Sequence, residues 1–256
     1  MKVLAIIPAR YGSTRFPGKP LVDIGGKSMI LRVANQVRQC RSISEVLVAT
    51  DDERIMEHVR SAGVACVMTG THHPSGTDRC LEAFQLSQST ADCILNVQGD
   101  EPFVDPSQLE ALCQLMSRPG SSIATLAKRI TDRETLFDPS KVKVVVDQHS
   151  QALYFSRQAI PYMRGVEEAD WHLRHTYYKH LGLYAFTANA LQSICALPPS
   201  SLEVAESLEQ LRWLENGYTI DVAFTDIETP SIDTPEDLTK LNLSFTPPSD
   251  QGSSER

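Results

Sequence analysis

The first half of the chain alternates short apolar runs with segments of helical periodicity, and this alternation restricts the fold more than any other feature. VLAIIP (3–8), EVLVAT (45–50) and DCILNV (92–97) read as buried strands. Between them, residues 28–40 place Met29, Ile30, Val33 and Val37 on one helical face. Residues 52–63 read as a helix stopped by Gly63, and 106–117 as another helix. Strands separated by amphipathic helices imply βαβ units and therefore an α/β fold with a mostly parallel, mixed sheet flanked by helices. Such sheets bind ligands at the carboxyl ends of their strands.

The second half is mixed. VKVVVD and ALYFSR flank QHSQ and suggest a hairpin over 142–157. Residues 180–187 and 219–227 read as strands, 202–217 as one helix with a Gly stop, and 234–242 as a helix opened by a capping pattern. No composition shift marks a linker. The expectation is one domain over 1–243 with a smaller β-rich lobe inserted at about 142–185, and a Pro/Ser-rich disordered tail over 244–256.

Net charge is -8, which argues against general nucleic-acid or membrane-surface binding. The six cysteines contain no CxxC pair, so neither a zinc ribbon nor a dithiol redox motif is expected. Buried free thiols in a reducing compartment fit better. No secretory leader or span-length apolar stretch is visible, which points to the cytoplasm.

Against this acidic background the loop PARYGSTRFPGKP after the first strand gathers Arg10, Arg15 and Lys19. Three cations in one loop repel one another without an anion, and Arg forks with a Lys point charge suit several phosphate oxygens. The competing reading is a solvated basic loop. GGKS (25–28) lacks the first glycine of a Walker A loop, Leu21 standing there, and no GxGxxG follows the first strand. Asp100, in VQGDEP at the end of a strand, is placed to hold Mg²⁺, or else is a turn residue bonding its own backbone. In SIDTPEDL, Thr234 suits the N-cap, Pro235 the first helical position and Asp237 a capping box. That leaves Asp233 for a second metal contact or an auxiliary cap.

The motifs IPARYGSTRFPGKPL, VATDDERI, SGTDR, NVQGDEP, KVKVVVD, ALYFSR, HLGLYAF, LEQLRWLE and IDTPEDL occur in the order found in the 3-deoxy-manno-octulosonate cytidylyltransferases. The resemblance runs from about Met1 to about Leu243. It implies a nucleotide-diphospho-sugar transferase fold with a dimerisation lobe, CTP and 3-deoxy-manno-octulosonate (Kdo) as substrates, Mg²⁺ as cofactor, and a cytoplasmic homodimer serving lipopolysaccharide synthesis. It also implies roles for residues. Pro8, Ala9, Arg10, Arg15 and Lys19 match the nucleotide loop, with the three cations on the triphosphate. Ser75, Gly76, Arg79 and Gln98 match positions around cytosine and ribose. Asp100 and Asp233 match the metal pair and, with Lys19, the catalytic set. Arg157, His180, Tyr184, Glu209 and Gln210 match the sugar-binding positions. Asp78 stands where relatives also carry Glu, which keeps the charge.

Residue chemistry supports part of this. On a straight strand His180, Gly182 and Tyr184 share one face. Glu209 and Gln210 fall off the Val204–Leu208–Leu211 stripe of the expected 202–217 helix, available to sugar hydroxyls or to water. Arg157 offers a planar fork for a carboxylate. Trp213 reads as packing, and His72 and His73 as loop or surface residues. The 142–160 hairpin is the expected dimer contact. The implied chemistry is in-line attack of the sugar hydroxyl on the α-phosphorus. The alternatives are CMP activation of 8-amino-Kdo or a sialic-acid-like acid, a glycosyltransferase, which GDEP disfavours for want of a DxD pair, and a non-catalytic nucleotide-sugar sensor.

Overall fold

The computed structural model describes residues 1–12, 16–240 and the backbone of 245–246. It is a mixed α/β fold with a central sheet flanked by helices. The chain forms two compact units, one from residues 4–89, 96–106 and 229 onward, the other from 1–3, 90–95 and 107–228. Arg15 and most of the tail expected to be disordered lie outside the described residues.

In the first unit, Val3–Ala9, Glu45–Thr50 and Ala65–Met68 pair in parallel in that order. Val3–Ala9 is buried except at Pro8, which is why it reads as a continuous apolar run rather than an alternating one. Helix Met29–Val37 buries the residues expected of it, with Ala34 added. Helix Glu53–Ser61 starts on Asp52, whose side chain accepts from the Arg54 N–H, and the chain leaves it at Gly63 with φ 70°. A small core of Phe16, Val22, Ile24, Met29, Ile232 and Leu238, with Phe103 against it, ties together three stretches distant in sequence. Those stretches carry Lys19, Asp100 and Asp233.

In the second unit, Ile123–Arg129 pairs in parallel with Asp221–Phe224 and antiparallel with the long strand Tyr178–Thr187. The expected hairpin is present as Lys143–Val146 and Ala152–Ser156. Lys143 is fully buried inside it, and its ammonium donates to the carbonyls of Asp138, Lys141 and Arg157 at 2.9, 2.5 and 2.6 Å. Burial lowers its pKa, while the carbonyls satisfy its three protons.

The single helix expected over 202–217 is two helices, Ser201–Glu206 and Gln210–Glu215. Ser207 sits at φ 51° and ends the first. This moves the apolar stripe: Val204 is 70% exposed and Gln210 is buried, the reverse of what one continuous helix requires. Trp213 is packing, as expected, wedged edge-on against Tyr184 and Phe186. Five cysteines are buried free thiols and Cys195 is partly so.

Candidate active site

In the first unit a cleft of about 240 Å³ opens beside the carboxyl end of Val3–Ala9. Pro8, Ala9, Arg10, Lys19, Ser75, Gly76, Arg79, Gln98, Asp100 and Asp233 all line it, so eight residues expected at the nucleotide and the two expected at the metal meet in one place. Local chemistry accounts for each wall. Lys19 follows Gly18, whose N–H donates to the Tyr11 carbonyl at 3.0 Å and closes the loop. Ser75 caps the helix Gly76–Ser87: its hydroxyl accepts from the Asp78 N–H and donates to the Asp78 carboxylate at 2.6 Å. The amino end of that helix therefore faces the cleft and favours an anion there. Gly99 lets two backbones meet, since a Cβ on it would lie 2.6 Å from the Pro8 carbonyl oxygen.

The Lys19 ammonium sits between two carboxylates, 2.8 Å from Asp100 Oδ2 and 3.3 Å from Asp233 Oδ1. The expectation that the loop cations need an external anion is therefore incomplete, because the chain itself supplies counter-charges for Lys19. The Ile232 N–H donates to the Asp100 carbonyl at 3.0 Å, stitching the two acidic segments together. Asp237 does not act through Thr234 capping alone. Its Oδ2 accepts from the N–H groups of Asp233 and Thr234 at 3.0 and 2.9 Å and so fixes the backbone beneath Asp233. Burial opposes ionisation of Asp237, yet these backbone bonds keep its carboxyl below the usual range.

Arg79 lines the cleft with its guanidinium already engaged. It donates to Thr69 Oγ1 at 2.6 Å and to Asp51 Oδ2 at 2.7 Å, and it is 4% exposed. Its structural work is to tie the Gly76–Ser87 helix to the ends of two parallel strands. Glu101 is pushed up to about 8, first by burial and then by Asp100 beside it. The sequence reading missed His73, which also lines this cleft. A histidine in a polar loop carries no periodicity to reveal it.

The sugar-assigned residues lie in the second unit. His180 and Tyr184 do meet, with ring centroids 5.2 Å apart. Straight-strand alternation is not the cause, since positions four apart on a strand are separated by roughly 13 Å. Gly182 stands at φ 72°, and pairing with the neighbouring strand shifts between Thr125 and Ala127. The resulting bulge folds the two rings toward each other. His180 Nε2 lies 2.9 Å from Thr125 Oγ1 and 3.3 Å from the Gly182 N–H. Burial lowers the His180 pKa to about 3, so the ring is neutral at ordinary pH. Burial, then the Glu209 charge, raises the Tyr184 phenol well above its usual value.

Arg157 forms a clamp. Its Nε donates to the Glu206 carbonyl at 2.8 Å, Nη1 to Pro139 at 3.2 Å and Nη2 to Ser207 at 3.3 Å. The Glu206 carboxylate answers with bonds from Ser156 Oγ at 2.6 Å and the Arg157 N–H at 2.9 Å. The guanidinium thus caps the helix that ends at Glu206 and shapes the turn leading to Glu209 and Gln210. Glu209 accepts from Arg212 at 3.2 Å.

Parallel strands with a cation-bearing cleft at their carboxyl ends and a helix amino end on one wall define an α/β protein whose cleft has the layout that suits an anion. The cytidylyltransferase family profile matches residues 4–222. A 3-deoxy-manno-octulosonate cytidylyltransferase of Cytophaga hutchinsonii is 54% identical over 242 residues, spanning 94% of this chain and 96% of that protein. An 8-amino-3,8-dideoxy-manno-octulosonate cytidylyltransferase of Shewanella halifaxensis is 46% identical over 241 residues, spanning 93% and 96%. A solved CMP:2-keto-3-deoxy-manno-octonic acid synthetase complexed with CTP superposes with a TM-score of 0.87 at 44% identity, covering 94% of this chain and 97% of that one. The chain belongs to the cytidylyltransferases, in the 3-deoxy-manno-octulosonate cytidylyltransferase family.

Proposed function

We propose that this protein transfers CMP from CTP to the anomeric hydroxyl of Kdo and releases pyrophosphate. The observation that carries this reading is the 44% identity, over nearly the whole chain, to a synthetase solved with CTP, together with the convergence of Lys19, Asp100 and Asp233 in one cleft. The hydroxyl oxygen forms a bond to the α-phosphorus as the bond to pyrophosphate breaks. No covalent intermediate with the protein is needed. Transfers of this kind are accelerated by positioning and by neutralising charge. Lys19 and Arg10 offset the negative charge that builds on the departing phosphates. Ser75 and Gly76 present the helix amino end to the nucleotide, and Gln98 offers an amide to its polar edge.

Two carboxylates converging on one cation, with phosphate oxygens and water to complete the shell, suit Mg²⁺. Asp100 and Asp233 would hold it. When bound, Mg²⁺ supplies charge neutralisation and lowers the pKa of a coordinated hydroxyl.

The reading extends to a cytoplasmic homodimer that supplies activated sugar for lipopolysaccharide. Among the described residues no helix is long and apolar enough to cross a membrane. Leu153, 59% exposed on the 142–160 hairpin, supports a subunit contact there. Light scattering of Leu153→Asp tests it, and an unchanged mass would count against that surface. A second reading, with 8-amino-Kdo as acceptor, is favoured by the 46% identity to the Shewanella relative. Pyrophosphate release with CTP and Mg²⁺ separates the two when Kdo, 8-amino-Kdo and N-acetylneuraminate are compared. Turnover with Kdo alone is expected. Preference for another acid would move the sugar, and no release with any acid would overturn the enzyme reading.

A further inference from the structure

We infer that His73 is a ligand for the β- or γ-phosphate of the nucleotide, held in position by Glu82; this rests on the nucleotide reading above. The His73 side chain is 8% exposed. It lines the cleft of Lys19, Gln98 and Asp100, and it also lines an adjoining cleft with Arg10, Tyr11 and Arg54. It therefore stands on the wall shared by two hollows of the first unit, as do Arg10 and Arg79, and the second hollow is also lined by Asp51 and Asp52. Its Nε2 lies 2.5 Å from Glu82 Oε2, and the same oxygen accepts the Gly70 N–H at 2.8 Å. Glu82 is thus fixed from two sides on the helix Gly76–Ser87. The ring cannot turn without breaking that bond.

The consequence lies in the other ring nitrogen. With Nε2–H donated to Glu82, a hydrogen bond from Nδ1 to an anion requires the imidazolium. His73 then offers a donor on a short ring, where Lys19 and Arg10 act from longer, more flexible stems. Pro74 and the Ser75 cap follow directly, so the donor is borne on a stiff part of the chain. Glu82 itself touches no ligand in this scheme and is a positioning residue.

A purely structural His73–Glu82 tether would also explain the bond, and the test separates the two. Titration calorimetry of wild type, His73→Gln, His73→Asn and Glu82→Gln with pyrophosphate, with CTP and with CMP is the experiment, alongside melting temperatures. Loss of one charge-assisted contact is expected to weaken pyrophosphate and CTP about tenfold to a hundredfold in the His73 variants. CMP, lacking those phosphates, should bind as in wild type. Glu82→Gln should give a smaller loss of the same pattern. Equal weakening of CMP would place His73 at the nucleoside end and overturn the inference. So would unchanged pyrophosphate binding, or a fall in melting temperature with affinities intact. Wild type that binds neither CTP nor pyrophosphate would sink the nucleotide reading itself, a result distinct from all of these.

Discussion

Gly99→Ala tests how closely the cleft is built. The added Cβ would lie 2.6 Å from the Pro8 carbonyl oxygen and 3.7 Å from the Ala9 Cβ. The obstacle is backbone within a buried parallel strand, so no side chain can swing aside. Relief requires a shift of roughly half an ångström in either the Pro8–Ala9 or the Gln98–Asp100 segment. Overpacking of this kind costs about 1–3 kcal/mol. For a chain of this size that lowers the melting temperature by about 2–12 °C. The effect on turnover should be larger, because both segments carry cleft residues and a displacement near 1 Å can cost about 10²-fold. Pyrophosphate release and thermal melting on the same preparation are the assays. Gly76→Ala is the control: its Cβ would meet Pro8 Cγ at 3.4 Å, an ordinary contact, so stability should hold. Gly99→Ala with wild-type melting and wild-type turnover would refute the close approach.

Asp100→Asn and Asp233→Asn should each reduce turnover by roughly 10²–10³ with folding intact, and near-normal rates in either would remove that residue from the chemistry. Arg157→Lys keeps the charge but cannot reach three carbonyls from one plane; it should raise the KM for the sugar acid while that for CTP holds, and an unchanged KM would show that the clamp does not shape the Glu209–Gln210 turn. His180 is held neutral by burial, its pKa lowered from 6.5 to about 3, so its contribution is complete above the unfolded value and declines as pH falls through that window. One proton gives about 1.4 kcal/mol per pH unit. Denaturant midpoints between pH 6.5 and 5 should therefore slope less steeply in His180→Gln than in wild type, and parallel slopes would contradict the burial argument.

The strands at 3–9 and 45–50 were readable in the sequence as largely buried apolar runs, whereas the parallel strand Ala65–Met68, exposed at Ala65 and half-buried at Val67 and Met68, was not. Val3–Ala9 is the clearest case. The helix break at Ser207 was not readable, since nothing in LEVAESLEQL separates a left-handed serine from a helical one. It is Arg157, fifty positions away, that makes the break worthwhile by bonding the freed Ser207 carbonyl. The bulge at Gly182 was hidden for a similar reason, as it depends on pairing with Thr125 and Ala127. The residues that gather in the Lys19 cleft had been grouped beforehand through motif resemblance. The internal pairing of Lys19 was not legible, because its partners come from two other chain segments and no local pattern records them.

The Lys19–Asp233 contact joins residues 214 positions apart, while Lys19–Asp100 spans only 81. On a ribosome the Lys19–Asp100 pair can form while Asp233 has yet to be synthesised. At roughly 5–20 residues per second, Asp233 follows Asp100 by about 7–27 s. Throughout that interval the cleft has its cation and one acid but not the other. A nascent chain that stops before residue 233 therefore leaves Lys19 with one of its two carboxylate partners.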